Sequence, residues 1–232
     1  MTDFIEGAVL LFDKPYRWTS FDVVNSVRYA IQKMLKIKGL KVGHAGTLDP
    51  LATGLLIVCT GKETKNIEAY QAMEKEYTGT FFLGATTPTY DLESEPSEFR
   101  ELSNISSFQI EEAARSFLGV QQQVPPIFSA IKVDGKRAYE YARKNHDVNI
   151  TPKTITIDAF EITRIELPEV DFRVVCSKGT YIRALARDFG EKLGCGAYLK
   201  ALRRTRIGNF KVDDALDVIA FKEEMKASTD NS

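Results

Sequence analysis

The chain has 232 residues, 44% of them hydrophobic and 27% charged, with a formal net charge of −1 at pH 7. This composition belongs to a folded globular protein long enough to bury a sizeable core, and it excludes collagen-like, low-complexity and disordered chains. No apolar run approaches membrane-spanning length, and Ala8–Phe12 is too short for a signal-peptide core before the charged Asp13 and Lys14, so a cytoplasmic protein is expected.

Ala8–Phe12 reads as a buried strand. Thr19, with Asp22 three residues on, is a variant of the capping box that opens helices. Phe21, Val24, Val27, Ile31 and Leu35 then recur at helical spacing as far as Gly39. Gly43–Gly54 is a glycine-punctuated loop, followed by an apolar strand over Leu55–Thr60. A short helix is expected over Glu63–Ala72, a strand over Tyr77–Leu83, and a helix over Ile110–Leu118 that ends at Gly119.

Val124–Thr151 differs in character. Pro125-Pro126 and Thr151-Pro152 bound it, and Asp134-Gly135 is a turn signal within it. Thr154–Ile165 and Phe172–Cys176 are rich in β-branched residues and read as strands. A helix follows over Tyr181–Leu193, closed by Gly194, and a last one over Asp214–Met225. Strands and helices mix without a regular βαβ alternation, which predicts an α+β fold. With no internal repeat and no linker, residues 1–232 are expected to form a single domain.

The near-neutral net charge hides local asymmetry. Asp91, Glu93, Glu95, Glu98 and Glu101 form an acidic stretch, while Lys132, Lys136, Arg137, Arg143, Lys144 and the cluster Arg203, Arg204 and Arg206 are basic. Basic faces bind phosphate or make a salt-laced solvated surface, and charge alone favours the second reading. Cys59, Cys176 and Cys195 lack paired spacing and read as reduced thiols. His44 and His146 are far apart, so neither a zinc site nor any other metal site is expected.

The stretch richest in chemistry is Gly43-His44-Ala45-Gly46-Thr47-Leu48-Asp49-Pro50-Leu51-Ala52-Thr53-Gly54. Pro50 disfavours a helical backbone at Asp49, and the glycines allow a ligand to approach closely. The segment is not a phosphate-binding loop, since Gly61-Lys62 is followed by Glu63 and the glycine spacing is wrong. The residues alone leave two readings open: a carboxylate mounted on a shaped loop, or a turn with a capping Asp.

The segment resembles the active-site motif of the TruB family of tRNA pseudouridine synthases, Gly-His-x-Gly-x-Leu-Asp-Pro-x-Ala-x-Gly. Leu11-Phe12-Asp13-Lys14-Pro15 with Thr19-Ser20 is similar to the family's N-terminal motif, and Lys75-Glu76-Tyr77 to the strand bearing its active-site tyrosine. Gly84, Thr87, Thr89 and Asp91 match a further pattern. Ser177-Lys178-Gly179-Thr180-Tyr181-Ile182-Arg183 matches the motif that carries its arginine. Leu202-Arg203-Arg204-Thr205 with Ile207-Gly208 matches its C-terminal strand. These motifs stand in the family's order along nearly the whole chain.

The resemblance implies a pseudouridine-synthase fold: a mixed, mostly antiparallel central sheet flanked by helices and loops, with a thumb-like insertion at about 124–151. It implies isomerisation of uridine 55 in the T-loop of tRNA, without metal or cofactor. Asp49 would be the nucleophile or the anion at the sugar, Arg183 its bidentate partner, and Tyr77 the residue that stacks on the base and relays a proton. His44, Tyr181 and Leu202 match positions that contact the extruded nucleotide or its vacated stack. Lys14 would act as a structural or a phosphate contact. Lys132, Lys136, Arg137, Arg143, Lys144 and Arg204 are candidate RNA contacts.

Bacterial relatives commonly add a C-terminal RNA-binding PUA domain. This chain ends at Ser232, so that domain is expected to be absent, and the resemblance points to a stand-alone, monomeric enzyme acting on the tRNA T-arm without a protein partner. Two competing readings are a catalytically silent tRNA-binding or folding protein and an unrelated hydrolase using Asp49. The joint presence of Asp49, Tyr77 and Arg183 argues against the first, and the lack of a convincing general base against the second.

Overall fold

The first helix, α1 (Ser20–Leu35), starts where the sequence predicts it, because Thr19 and Asp22 close a reciprocal capping box. The Thr19 N–H donates to the Asp22 carboxylate at 2.8 Å, and the Asp22 N–H donates to the Thr19 hydroxyl at 3.1 Å. A cap of this kind contributes about 1 kcal/mol. Val23, Val24, Val27 and Ile31 are buried, whereas Phe21, counted into the apolar stripe, is exposed. The computed structural model describes residues 3–129, 132–133, 136–137 and 150–230.

In chain order, β1 (Val9–Lys14) precedes α1, and β2 (Val42–His44) and β3 (Thr53–Thr60) flank the glycine loop. A 3-10 turn over Gly61–Asn66 leads into α2 (Ile67–Ala72) and β4 (Lys75–Leu83). Then come α3 (Ser107–Arg115), β5 (Gly119–Gln123), and the paired β6 (Lys132–Val133) and β7 (Lys136–Arg137). The long strands β8 (Lys153–Glu166) and β9 (Glu169–Cys176) are followed by α4 (Ile182–Lys192) and β10 (Ala197–Ile207). Finally β11 (Phe210–Lys211), β12 (Leu216–Asp217) and α5 (Val218–Asp230) close the chain.

The last helix begins four residues later than the sequence suggests. Leu216 and Asp217 pair in parallel with Phe12 and Asp13 of β1, which holds them extended. The Asp217 carboxylate then accepts from the N–H groups of Ile219 and Ala220, both at 2.8 Å, capping the helix there.

The chain forms two compact units, Met1–Tyr77 with Leu202–Ser232, and Thr78–Ala201, so it passes between them inside β4 and inside β10. In the first unit, β3 runs antiparallel to β1 and β2, and parallel to β10 at Thr53 and Gly54. Side chains of β3 alternate between two buried faces. Leu56 and Val58 pack with residues of α1 and α5, while Leu55, Ile57 and Cys59 pack with Ala45, Ile207 and Val212. Burial on both faces is why this strand reads as an unbroken apolar run. Burial also pushes the Cys59 thiol up to about 11, which keeps it protonated and unreactive.

In the second unit the strand order is β4-β9-β8-β5, with β9–β8 and β8–β5 antiparallel. Its core is aromatic. Phe81 stacks on Phe172 at 4.1 Å between ring centroids and approaches Phe160 and Phe189, which in turn contact Phe117. Antiparallel pairs predominate among the described strands, which makes the fold α+β as expected. No helix among the described residues is long and apolar enough to cross a membrane.

Candidate active site

Asp49 lies in the loop between β2 and β3, and its chain neighbours are anchored on both sides. Before it, the Ser20 hydroxyl donates to the Leu48 carbonyl at 3.2 Å and accepts from the Leu48 N–H at 2.9 Å. After it, the Pro50 carbonyl accepts from the Arg17 N–H at 2.8 Å and from the Lys14 ammonium at 3.3 Å. Asp49 itself accepts from the Ala52 N–H at 3.1 Å through its carbonyl. Leu48 is buried and Asp49 is half-exposed, so the loop grips its backbone and leaves the acidic residue reachable.

Arg204 braces the same loop from inside. Its Nη2 donates to the Gly46 carbonyl at 3.0 Å and its Nε to the Leu55 carbonyl at 2.8 Å, joining the loop's two ends. Parallel pairing of β10 with β3 sets this reach, with Arg204 in register with Gly54. Gly54 sits at φ +105°, and a Cβ there would stand 2.3 Å from the Arg204 carbonyl oxygen. Only glycine permits this contact between the strands.

Lys14 is fully buried. Besides Pro50, its ammonium donates to the carbonyls of Pro15 at 3.0 Å and Trp18 at 2.6 Å, so all three of its donors are used. Burial lowers its pKa to about 8; Asp49 opposes that shift, and Arg204 adds to it. Asp49 therefore acts electrostatically on the buried Lys14 ammonium. His44, on β2, has its pKa lowered, first by burial and then by Arg204, which favours the neutral imidazole. Its buried Nδ1 makes no hydrogen bond among the described residues.

In the second unit, Arg183 lies on α4 and is buried, not on the surface. Its Nε stands 3.6 Å from the Asp91 carboxylate, and its terminal nitrogens donate to the carbonyls of Thr89 at 3.2 Å and Phe128 at 3.0 Å. Asp91 is buried too and accepts from the Thr89 hydroxyl at 2.6 Å and the Glu93 N–H at 3.0 Å. Tyr181 is the N-cap of α4. The buried Gln123 side chain receives its N–H at 2.8 Å and donates to its carbonyl at 3.1 Å.

The structure brings Lys14, His44, Asp49 and Arg204 together in the first unit. Tyr77 is buried on β4 and Leu202 is half-buried on β10, also within that unit. Arg204, expected as an RNA contact, is 1% exposed and spends its donors on loop carbonyls, so its burial argues against that role. Of the two roles open to Lys14, burial favours the structural one. Arg143 and Lys144 lie outside the described residues, as do the side chains of Lys132, Lys136 and Arg137. Among the described residues, no three His, Cys, Asp or Glu side chains gather to hold a metal ion.

Sequence reasoning missed Ser20 and Gln123 as backbone clamps, and it placed Asp91 in an acidic stretch and in a family pattern without seeing its pairing with Arg183. Only long-range pairing reveals these roles. What the arrangement offers chemically is a reachable carboxylate on an immobile backbone, next to buried positive charge. That suits a nucleophile or an anion opposite a developing cation better than a proton shuttle.

The family model "TruB family pseudouridylate synthase (N terminal domain)" matches residues 32–182, and "tRNA pseudouridylate synthase B C-terminal domain" matches residues 183–231. The chain is 56% identical over 221 residues to tRNA pseudouridine synthase B of Phocaeicola vulgatus, covering 95% of this chain and 94% of that protein. It is 54% identical over 225 residues to the protein of the same name from Flavobacterium johnsoniae, covering 97% and 98%. Among solved structures, a chain of a Cbf5-Nop10-Gar1 complex superposes with a TM-score of 0.71 at 30% identity, covering 95% of this chain and 54% of that one. The fold is that of pseudouridine synthases, and this chain is an isomerase belonging to the TruB family of pseudouridylate synthases.

Proposed function

We propose that this enzyme converts uridine to pseudouridine in tRNA, at uridine 55 of the T-loop, with Asp49 as the catalytic carboxylate. The observation that carries this reading is the mounting of Asp49: its neighbours Leu48 and Pro50 are both tied down, while Asp49 stays half-exposed. The reaction breaks the bond between ribose C1′ and N1 of the base, turns the base, and rejoins it through C5, releasing the C5 hydrogen as a proton. An anion at the sugar assists the first step, as nucleophile at C1′ or by stabilising the cation that develops there, and no imported group is needed. A preorganised loop adds to the rate because the carboxylate need not be ordered during the reaction.

In this reading Arg183 keeps the carboxylate charged and oriented, Tyr77 stacks on the target base, and His44, Tyr181 and Leu202 hold the extruded nucleotide. The enzyme acts in the cytoplasm as a monomer, on the T-arm alone, with neither guide RNA nor protein partner. The relatives named tRNA pseudouridine synthase B support tRNA as the substrate. The test uses tRNA labelled with tritium at uridine C5. The purified chain should release one tritium per tRNA, with the product mapped to uridine 55. Release from another position would shift the site, and binding without release would favour a silent tRNA-binding protein.

A further inference from the structure

The turn after β1 carries a feature that the catalytic assignment does not use. The Trp18 N–H donates to the Pro15 carbonyl at 3.4 Å, closing a four-residue turn through Tyr16 and Arg17. Arg17 occupies its third position at φ +66°, where a β-turn with positive φ ordinarily takes glycine or asparagine. An arginine there is strained, and strain kept in a folded protein is an argument for what the side chain does.

The turn is rigid for reasons already described. Lys14 donates to the carbonyls of Pro15 and Trp18 from below, and the Arg17 N–H holds the carbonyl of Pro50, directly after Asp49. On top, both side chains face solvent. Tyr16 is 51% exposed, and the Arg17 guanidinium lies 5.5 Å from the centroid of its ring. No acidic side chain pairs with Arg17 among the described residues. An exposed ring with a cation beside it, mounted on a hydrogen-bonded turn, thus stands one hydrogen bond from the residue that follows Asp49.

We infer that Tyr16 and Arg17 form an RNA contact at the rim of the Asp49 loop: the ring packs on a ribose or splayed base, and the guanidinium meets the adjoining phosphate. Unstacked loop nucleotides are bound by this combination of aromatic faces and guanidinium groups. The inference rests on the reading of the Asp49 loop as the active site, and it assigns the nucleotides that flank the target.

Arg17→Gly provides an unusual test, because glycine suits the backbone at this position. The contact predicts a thermal midpoint that does not fall, together with a loss of RNA affinity. For a T-arm hairpin the dissociation constant should rise about fivefold or more, and the slope of log affinity against log salt should shrink by about one. Tyr16→Ala should also weaken binding about fivefold or more, but with the salt slope kept. Wild-type affinity and salt slope in both variants would overturn the contact. If the wild-type chain binds the hairpin without releasing tritium, while Arg17→Gly still weakens binding, the catalytic reading fails and the contact stands.

Discussion

Arg204 donates from Nη2 to the Gly46 carbonyl at 3.0 Å, and through Nε the same side chain reaches Leu55 at 2.8 Å. One buried guanidinium thus closes the segment that carries Asp49. Arg204→Met should strand two carbonyls and cost about 2–4 kcal/mol of stability. Its turnover should fall by more than its RNA affinity, because the loop loses its brace and no RNA contact is removed. Arg204→Lys keeps the charge but loses the two-pronged geometry, so it should recover only part of both. Thermal melts and single-turnover rates check this, and wild-type values for Arg204→Met would contradict it.

Gly54 and Gly39 separate steric from conformational demand. Both have positive φ, +105° and +79°, but a Cβ at Gly54 would meet the Arg204 backbone at 2.3 Å, whereas at Gly39 nothing lies within 4 Å. Gly39→Ala should therefore cost about 1 kcal/mol. Gly54→Ala should cost about 3 kcal/mol or more, since β3 and β10 must move apart. Urea midpoints of the two variants would measure the difference, and equal costs would mean that the strand contact yields easily.

Lys14 should make stability rise with pH in an alkaline window. Its pKa is about 8 in the folded chain, against 10.5 for an unburied lysine. Between those values the unfolded chain binds more protons than the folded one, so stability increases as pH rises. Below pH 8 the full cost of the buried charge is present. Lys14→Met lacks this titration, so the melting temperature of wild type minus variant should grow from pH 7 to pH 10. A constant difference would show that Lys14 is not perturbed by burial.

How much of this was legible in the sequence depends on range. The cap at Thr19 and Asp22 and the apolar face of α1 are local, and the sequence alone predicts them. At the Asp49 loop, Pro50 and the flanking glycines left a shaped loop and a capped turn both open, and the resemblance to the family motif decided between them. Arg203 and Arg204 were read together as one basic cluster, yet strand alternation sends them to opposite faces. Arg203 pairs with Asp13 at the surface at 2.6 Å, and Arg204 turns inward to the loop. Which of two adjacent arginines faces inward depends on the register of β10 against β3, and that pairing joins residues about 150 apart in sequence. The start of α5 was displaced for the same reason, by pairing with β1.

The central claim is that Asp49 supplies the carboxylate for uridine isomerisation, and Asp49→Asn tests it most directly. Asparagine keeps the shape and the backbone anchors at Leu48 and Pro50, but removes the charge and the nucleophile. Under single-turnover conditions with C5-tritiated tRNA, the variant should bind T-arm RNA with near wild-type affinity and release no tritium above background. Release at more than a small fraction of the wild-type rate, from protein free of contaminating synthase, would contradict the assignment of Asp49 as the essential catalyst.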